Sequence, residues 1–109
     1  MFAAHYNEGE IFRRQNQLRE AAVSFLRAAS VAEEGLQPGK LGRKPAVDRT
    51  NRRNALRGYA AAGRATAGYN DLAASEKAFA DAVRIQPDDP DCNLYRAQLG
   101  GMMGKLVET

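Results

Sequence analysis

The sequence contains no tryptophan, few other aromatic residues and a single cysteine. Aromatic residues make up only 7% of the chain, and β-sheets depend on aromatic and β-branched side chains, so an extensive sheet is disfavoured. The lone cysteine, Cys92, excludes an internal disulfide. Alanine is abundant, and a length of 109 residues suits one compact domain. The composition therefore predicts a single all-α domain over residues 1–109.

Long hydrophobic runs are missing as well. No stretch approaches the roughly 20 consecutive apolar residues that a membrane-spanning helix needs. Residues 1–10 lack the basic flank and the apolar run of a signal peptide. We therefore expect no membrane association and a reducing, intracellular location, in the cytoplasm.

The residue combinations that support catalysis or metal binding are also lacking. His5 has no cysteine, aspartate or second histidine at ligand spacing, and Cys92 has no histidine placed to activate it. No pair of carboxylates is spaced for acid–base chemistry. We therefore expect no enzymatic activity, no catalytic residue, no metal and no cofactor.

Apolar residues recur at helical spacing in the first third of the chain. The pattern predicts a short amphipathic helix from Tyr6 to about Gln15 and a second helix from Leu18 to about Glu34. Asn16 lies between them, and asparagine is the non-glycine residue that best tolerates a left-handed turn. Alanine and one phenylalanine, Phe25, dominate one face of the second helix. These features predict a closely packed helical hairpin, with Gly35 at its C-terminal end.

A second hairpin is predicted after a loop. Two prolines and two glycines within residues 36–45 oppose regular structure there. A third helix is expected from Asp48, with Thr50 or Asn51 as alternative N-caps, to about Tyr69. Asn70 and Asp71 then repeat the first corner, and Asp71 is placed to cap a fourth helix that Pro87 ends. A fifth helix is predicted to follow over residues 90–107, with Asp89 as its N-cap.

The two helical pairs match each other when the sequence is shifted by 54 residues. The residues of the first pair and their counterparts in the second are Gly9 and Gly63, Asn16 and Asn70, Leu18 and Leu72, Phe25 and Phe79, and Ala28 and Ala82. These are small and large residues at positions where two antiparallel helices would interlock. The match predicts an internal helical repeat.

The repeated residues resemble the tetratricopeptide repeat family. The residues that carry the resemblance are Tyr6-Asn7-Glu8-Gly9, Phe12, Glu20-Ala21, Phe25 and Ala28 in the first copy, and Tyr59, Gly63, Ser75, Phe79, Ala82 and Pro87 in the second. The sequence departs from the family pattern at His5, where tryptophan is common, at Glu8 and Ala62, where leucine is usual, and at Thr66, where an aromatic is usual.

The resemblance implies a particular arrangement. Residues 2–35 and 56–89 would form two hairpins, and residues 90–107 would form a capping helix, together a fragment of a right-handed α-solenoid. Since the family period is about 34 residues, the shift implies about 20 inserted residues, which fall in residues 36–55 as a basic loop and helix extension. Members of the family usually bind partner proteins in a concave groove lined by the first helix of each hairpin.

Basic residues are concentrated in one part of the chain. Eight of the 16 lysine and arginine residues lie in residues 40–64, where Asp48 is the one acidic residue. In a helix that begins near Asp48, four arginines, Arg49, Arg53, Arg57 and Arg64, fall on about one quarter of the circumference. Three interpretations stay open: a solvated helix face, a site for an acidic peptide or protein, or contact with nucleic acid or anionic lipid. Nucleic acid is the least favoured because few aromatic residues that could stack on bases lie nearby.

These observations lead to two functional hypotheses. The first is a scaffold or adaptor that binds an acidic protein segment in its groove; its candidate contact residues are Asn7, Glu10, Arg49, Arg53, Arg57 and Arg64. Chaperone-tail binding of the kind known in the family is not expected, because Tyr6, Glu10 and Ala61 occupy places of its lysine and asparagine clamp. The second hypothesis is a structural unit that forms homo-oligomers through exposed repeat faces.

Overall fold

The described part of the chain consists of helices joined by short corners. The structure, a computed structural model, describes residues 2–36, 45–87, 89–91, 93–94 and 96–98, without the side chains of residues 45–48. Its long helices are α1 (Phe2–Arg14), α2 (Leu18–Glu34), α3 (Pro45–Gly68) and α4 (Leu72–Ile85). No strand occurs among these residues. The prediction of a helical fold is confirmed for the described residues.

The two corners, between α1 and α2 and between α3 and α4, are built in the same way. Asn16 and Asn70 have positive φ angles of 61° and 68°. In the first corner the Gln17 N–H donates to the Phe12 carbonyl (N···O 2.8 Å), and in the second the Asp71 N–H donates to the Thr66 carbonyl (2.9 Å). This pattern is the Schellman motif, in which a left-handed residue closes the helix. The predicted left-handed turns at both asparagines are confirmed.

Each hairpin is held by the same contact between a glycine and a phenylalanine. Phe25 and Phe79 are buried, with exposed fractions of 0% and 1%. A Cβ atom added at Gly9 would lie 2.7 Å from the ring of Phe25, and one added at Gly63 would lie 2.7 Å from the ring of Phe79. The absence of a side chain therefore lets each ring lie directly against the first helix of its hairpin. The match at a shift of 54 residues extends from the sequence to the packing.

The core between the hairpins is made mostly of alanine. One cluster joins Ala21 and Ala22 of α2 to Ala61 and Ala65 of α3. A second cluster joins Ala29 of α2 to residues of α3 and α4. Alanine side chains allow helices to approach closely and have the highest helix propensity. The second hairpin therefore stacks on the first through α2 and α3.

Buried hydroxyl groups in this core all have hydrogen-bond partners. Ser24 donates to a carboxylate oxygen of Glu8 (2.8 Å), and Ser75 donates to the Gly63 carbonyl (2.7 Å). Thr66 donates to the Ala62 carbonyl (2.9 Å) within its own helix. Glu8 and Thr66 are two of the positions that depart from the tetratricopeptide pattern. Thr66 is buried, and its hydrogen bond offsets the free-energy cost of burying a polar group, whereas Glu8 is exposed and accepts its hydrogen bond from the buried Ser24.

Helix boundaries differ from the prediction in two places. The third helix begins at Pro45 and not at Asp48, so Pro45 belongs to the helix and not to the loop. Proline is favoured in the first turn because the N–H it lacks would have no intrahelical acceptor there. The first helix begins at Phe2 and not at Tyr6. The rings of these two residues, one turn apart, pack with their centroids 5.3 Å apart.

The remaining predicted segments lie partly outside the described residues. Residues 37–44 of the predicted loop and residues 99–107 of the predicted capping helix are not among them. Residues 90–91, 93–94 and 96–98 are helical, and the Asn93 N–H donates to the Asp89 carbonyl (3.3 Å). The fourth helix ends at Ile85, two residues before Pro87, as predicted.

Candidate partner-binding groove

The predicted basic stripe lies on α3, and its arginines are exposed. Because α3 is continuous from Pro45 to Gly68, Arg49, Arg53, Arg57 and Arg64 do share one face of the helix. Their surroundings nevertheless differ. Arg57 and Arg64 lie beside α1, whereas Arg49 and Arg53 lie beside the C-terminal end of α4. The stripe is therefore divided between two sites.

The first site is a groove between α1 and α3, here called the α1–α3 groove. Its volume is about 180 Å³. The residues that line it are Tyr6, Leu56, Arg57, Ala60, Arg64, Phe79, Asp89 and Asp91. Apolar side chains thus form part of its wall, and charged groups of both signs lie at its edges. Such a surface can hold an extended peptide by apolar contact and by ion pairs with arginine.

Arg57 is placed in this groove by its contact with Tyr6. The guanidinium carbon Cζ lies 4.9 Å from the centroid of the Tyr6 ring. Tyr6 is fixed in turn by Phe25, whose ring centroid is 5.2 Å away. A cation–π contact of this kind contributes about 0.5–1 kcal/mol at an exposed site. The contact orients Arg57 across the groove from α3 to α1 and leaves its N–H groups able to donate to a ligand.

The groove continues along α1 past Arg64. A neighbouring cavity of about 360 Å³ is lined by Glu10, Arg13, Leu18, Phe25, Ala61, Arg64 and Ala65. Arg64 lines both cavities, so they adjoin at this side chain. Glu10 is engaged by Arg13 at 2.8 Å, and this hydrogen bond raises the pKa of Arg13. Glu10 therefore lies in the predicted groove, but it already accepts a hydrogen bond from its own helix.

Arg49 and Arg53 lie outside the α1–α3 groove, and so does a third predicted contact residue, Asn7. Its side chain is exposed, and it lines neither of the two adjoining cavities. Its counterpart in the second hairpin, Ala61, is buried in the alanine cluster against α2. Asn7 thus lies on the side of α1 that corresponds to the stacking face of α3.

Sequence reasoning missed the acidic side of the groove. Asp89 is predicted only as an N-cap, yet it lines the groove with Asp91, Arg57 and Arg64. The position of the two aspartates in the sequence could have indicated this, because they lie directly after the second hairpin, where the first helix of a further hairpin would begin. Their carboxylates lower the net positive charge that the groove presents to a ligand.

The second site is a basic pocket beside the end of α4. Three arginines and three residues of the chain that leaves α4 line a volume of about 390 Å³: Arg49, Arg52, Arg53, Ile85, Gln86 and Pro87. Among the residues that the structure describes, no acidic side chain lines this pocket. Arg52 is not part of the predicted stripe, yet it lines this pocket. The spacing of residues on α3 alone could not show this, because the pocket also depends on the position of α4.

A polar network on the other side of α3 connects it to α2 and α4. The Tyr59 hydroxyl and the Arg84 guanidinium both donate to Oε1 of Glu33, at 2.7 Å and 2.8 Å. The hydrogen bond from Arg84, followed by that from Tyr59, lowers the pKa of Glu33. Burial of the Tyr59 hydroxyl, together with its hydrogen bond to Glu33, raises the pKa of Tyr59 to about 12. The network fixes the orientation of α3, and therefore the direction in which its arginines project.

Comparison with known proteins identifies no relative: no protein-family model, curated protein or solved structure matches the chain. Among the described residues, no three histidine, cysteine, aspartate or glutamate side chains are grouped so that they could hold a metal ion. None of the described helices has both the length and the apolar character required to cross a bilayer.

Proposed function

We propose that this chain is a protein-interaction module of the tetratricopeptide type, with two hairpins and a capping helix in a right-handed solenoid fragment. It binds a segment of another protein in the α1–α3 groove and has no catalytic role. The matched corners and the matched glycine–phenylalanine contacts support a repeat of this kind. The sequence match at a shift of 54 residues is consistent with such a repeat.

The observation that carries the binding function is the pairing of Arg57 with Tyr6 in this groove. Arg57 and Arg64 supply donor groups for carboxylates, and Tyr6 and Leu56 supply apolar surface beside them. Asp89 and Asp91 line the same groove and reduce its attraction for carboxylates, so an acidic ligand needs apolar contacts as well to bind well. The proposed partner is therefore an acidic segment that contains apolar residues.

Fluorescence anisotropy with a labelled peptide of alternating glutamate and leucine tests this proposal. The double variant Arg57→Glu/Arg64→Glu should weaken binding at least about tenfold, because two ion pairs become repulsive contacts. The matched control is Arg14→Glu/Arg27→Glu, which changes the net charge equally at exposed positions outside the groove. Equal losses in the two variants would show that the peptide responds to net charge alone, and the groove would be excluded as the binding site.

Self-association is a second candidate function, supported by one face of the first hairpin. Ala61 and Ala65 of α3 are buried against α2, whereas Ile11, the counterpart of Ala65, is 53% exposed. The face that a preceding hairpin would cover in a longer array thus carries an exposed apolar residue. Sedimentation of the wild-type chain and of Ile11→Lys distinguishes the candidates, since a wild-type monomer at high concentration excludes self-association.

A further inference from the structure

The basic pocket formed by Arg49, Arg52 and Arg53 differs from the α1–α3 groove in its charge balance. Two arginines and two aspartates line the groove. In the basic pocket, three arginines line the surface, and none of the described residues that line it is acidic. The C-terminal end of α4 adds roughly half a negative charge, which is small beside three guanidinium groups. A single carboxylate would leave most of this positive charge uncompensated.

The three arginines of the basic pocket are also not paired with any residue in the described part of the chain. Within the described residues, Arg13 and Arg84 form ion pairs, and Arg19 and Arg57 stack on tyrosine rings. No ion pair, hydrogen bond or ring contact to any described residue is found for the arginines of the basic pocket. Their donor groups are therefore available for a ligand, and the repulsion between them would fall when an anion binds.

We infer that the basic pocket is a binding site for a phosphate group carried by the protein segment that lies in the α1–α3 groove. A phosphorylated side chain carries a charge of about −1.5 to −2 and three strong acceptor oxygens, which match several guanidinium forks. The inference has two parts, and the second, that the same segment lies in the α1–α3 groove, rests on the proposed function. The phosphate site itself depends only on the basic pocket.

The spacing of the two sites sets the spacing of the recognised groups. The middle of the basic pocket lies near residue 51 of α3 and the arginines of the groove lie near residue 60, a separation of about 14 Å at 1.5 Å per residue. An extended peptide covers this distance in about four residues. The partner segment should therefore carry a phosphorylated residue about four residues from a glutamate or aspartate.

The test compares two peptides on the full chain. The probes are Glu-Leu-Gly-Gly-phosphoserine and its unphosphorylated twin, both labelled for fluorescence anisotropy. Phosphorylation should tighten binding at least about tenfold, the effect expected from one charge-assisted hydrogen bond or more. The variant Arg49→Gln/Arg53→Gln should abolish this advantage. The control Arg14→Gln/Arg27→Gln removes the same charge elsewhere and should preserve it, and circular dichroism should show all variants folded.

The groove variant Arg57→Gln/Arg64→Gln separates this inference from the proposed function. It should weaken both peptides and leave the ratio of their affinities unchanged. If it weakens both peptides but phosphorylation never improves binding, the phosphate site is wrong and the proposed function stands. If it weakens neither peptide but the phosphate advantage persists and needs Arg49 and Arg53, the proposed function and the path of the segment are wrong, and the phosphate site stands.

Inorganic phosphate and other polyanions identify the source of the phosphate. Inorganic phosphate should compete with the phosphopeptide and should shift the Nε–H resonances of Arg49, Arg52 and Arg53 in nuclear magnetic resonance spectra. Oligo(dT) and vesicles of phosphatidylcholine with phosphatidylserine test other sources of phosphate. If either binds more tightly than the phosphopeptide, and Arg49→Gln/Arg53→Gln abolishes that binding, the pocket belongs to a different class of macromolecule and the inference is overturned. An advantage of the phosphopeptide that survives in Arg49→Gln/Arg53→Gln would overturn it too.

Discussion

The two hairpins share the residues that join and pack their helices and differ in those that face outward. Asn16 and Asn70 close their corners with the same φ angle to within a few degrees, and Phe25 and Phe79 lie against glycines in the same way. At the groove, by contrast, the counterpart of Glu10 is Arg64, a reversal of charge. The comparison shows that the residues that close and pack each hairpin are alike in the two copies, whereas residues at the groove differ.

The two copies also differ in how they are anchored. Asp71 accepts a hydrogen bond from the Ala74 N–H (3.2 Å) at the start of α4, whereas Gln17 makes no side-chain cap at the start of α2. Tyr59 of α3 donates to Glu33, whereas its counterpart in α1 is His5. Each difference leads to a measurement that compares one hairpin with the other.

The largest effect is expected from removing the matched aromatic rings. Phe25→Ala and Phe79→Ala should each lower the free energy of unfolding by about 3–5 kcal/mol, because each leaves a cavity in a fully buried site. Chemical denaturation measures both. Val23→Ala, at an exposed position on α2, is the control and should cost no more than about 0.5 kcal/mol. Losses that differ by more than about 2 kcal/mol between the two rings would contradict the equivalence of the hairpins.

A smaller loss is expected from filling the space beside those rings. Gly9→Ala and Gly63→Ala would each gain about 1 kcal/mol in helix propensity, but their Cβ atoms would clash with a buried ring. Overpacking typically costs about 1–3 kcal/mol, so we expect net destabilisation in both hairpins.

Gly68→Ala is the matched control for the glycine pair, because its Cβ would meet a terminal methyl of Leu18 that can rotate away. It should be neutral or stabilising in thermal denaturation. Stabilisation by Gly9→Ala or Gly63→Ala would refute the proposed contact in that hairpin.

The helix caps provide a test of the difference between the hairpins. Asp71→Ala should cost about 0.5–2 kcal/mol, because α4 loses the acceptor for the Ala74 N–H. Gln17→Ala should change stability much less, since its side chain caps nothing. Gln17→Asp should supply the missing cap and raise the melting temperature of the chain. Equal effects of the two alanine substitutions would mean that the cap at Asp71 contributes nothing.

The smallest effect is a change in stability at high pH. The pKa of Tyr59 is raised to about 12 in the folded chain, against about 10 when unfolded, so the folded state holds the proton more tightly. The resulting stabilisation is complete below pH 10 and is lost as the pH rises from about 10 through about 12. Tyr59→Phe should remove this loss. Its free energy of unfolding should fall less steeply between about pH 10 and 12, and parallel profiles for wild type and variant would disprove the linkage.

The corners could be predicted because they are set by short-range chemistry. A left-handed turn favours asparagine or glycine, and it recurs at Asn16 and Asn70 with apolar periodicity on both sides. The start of α3 was harder to predict, because proline is compatible with both a loop and a first helical turn. Pro45 therefore looked like part of the loop although it begins the helix.

The sequence by itself determined that the chain is helical, that its helices pair through matched corners, and that its arginines share one face of α3. Only the tertiary structure decided which neighbours those arginines have. Arg57 meets Tyr6, 51 residues earlier in the chain, and Arg49 meets the end of α4. Helical periodicity describes a single helix, whereas a binding site depends on how helices distant in sequence stack, and that is set by the packing of the whole core.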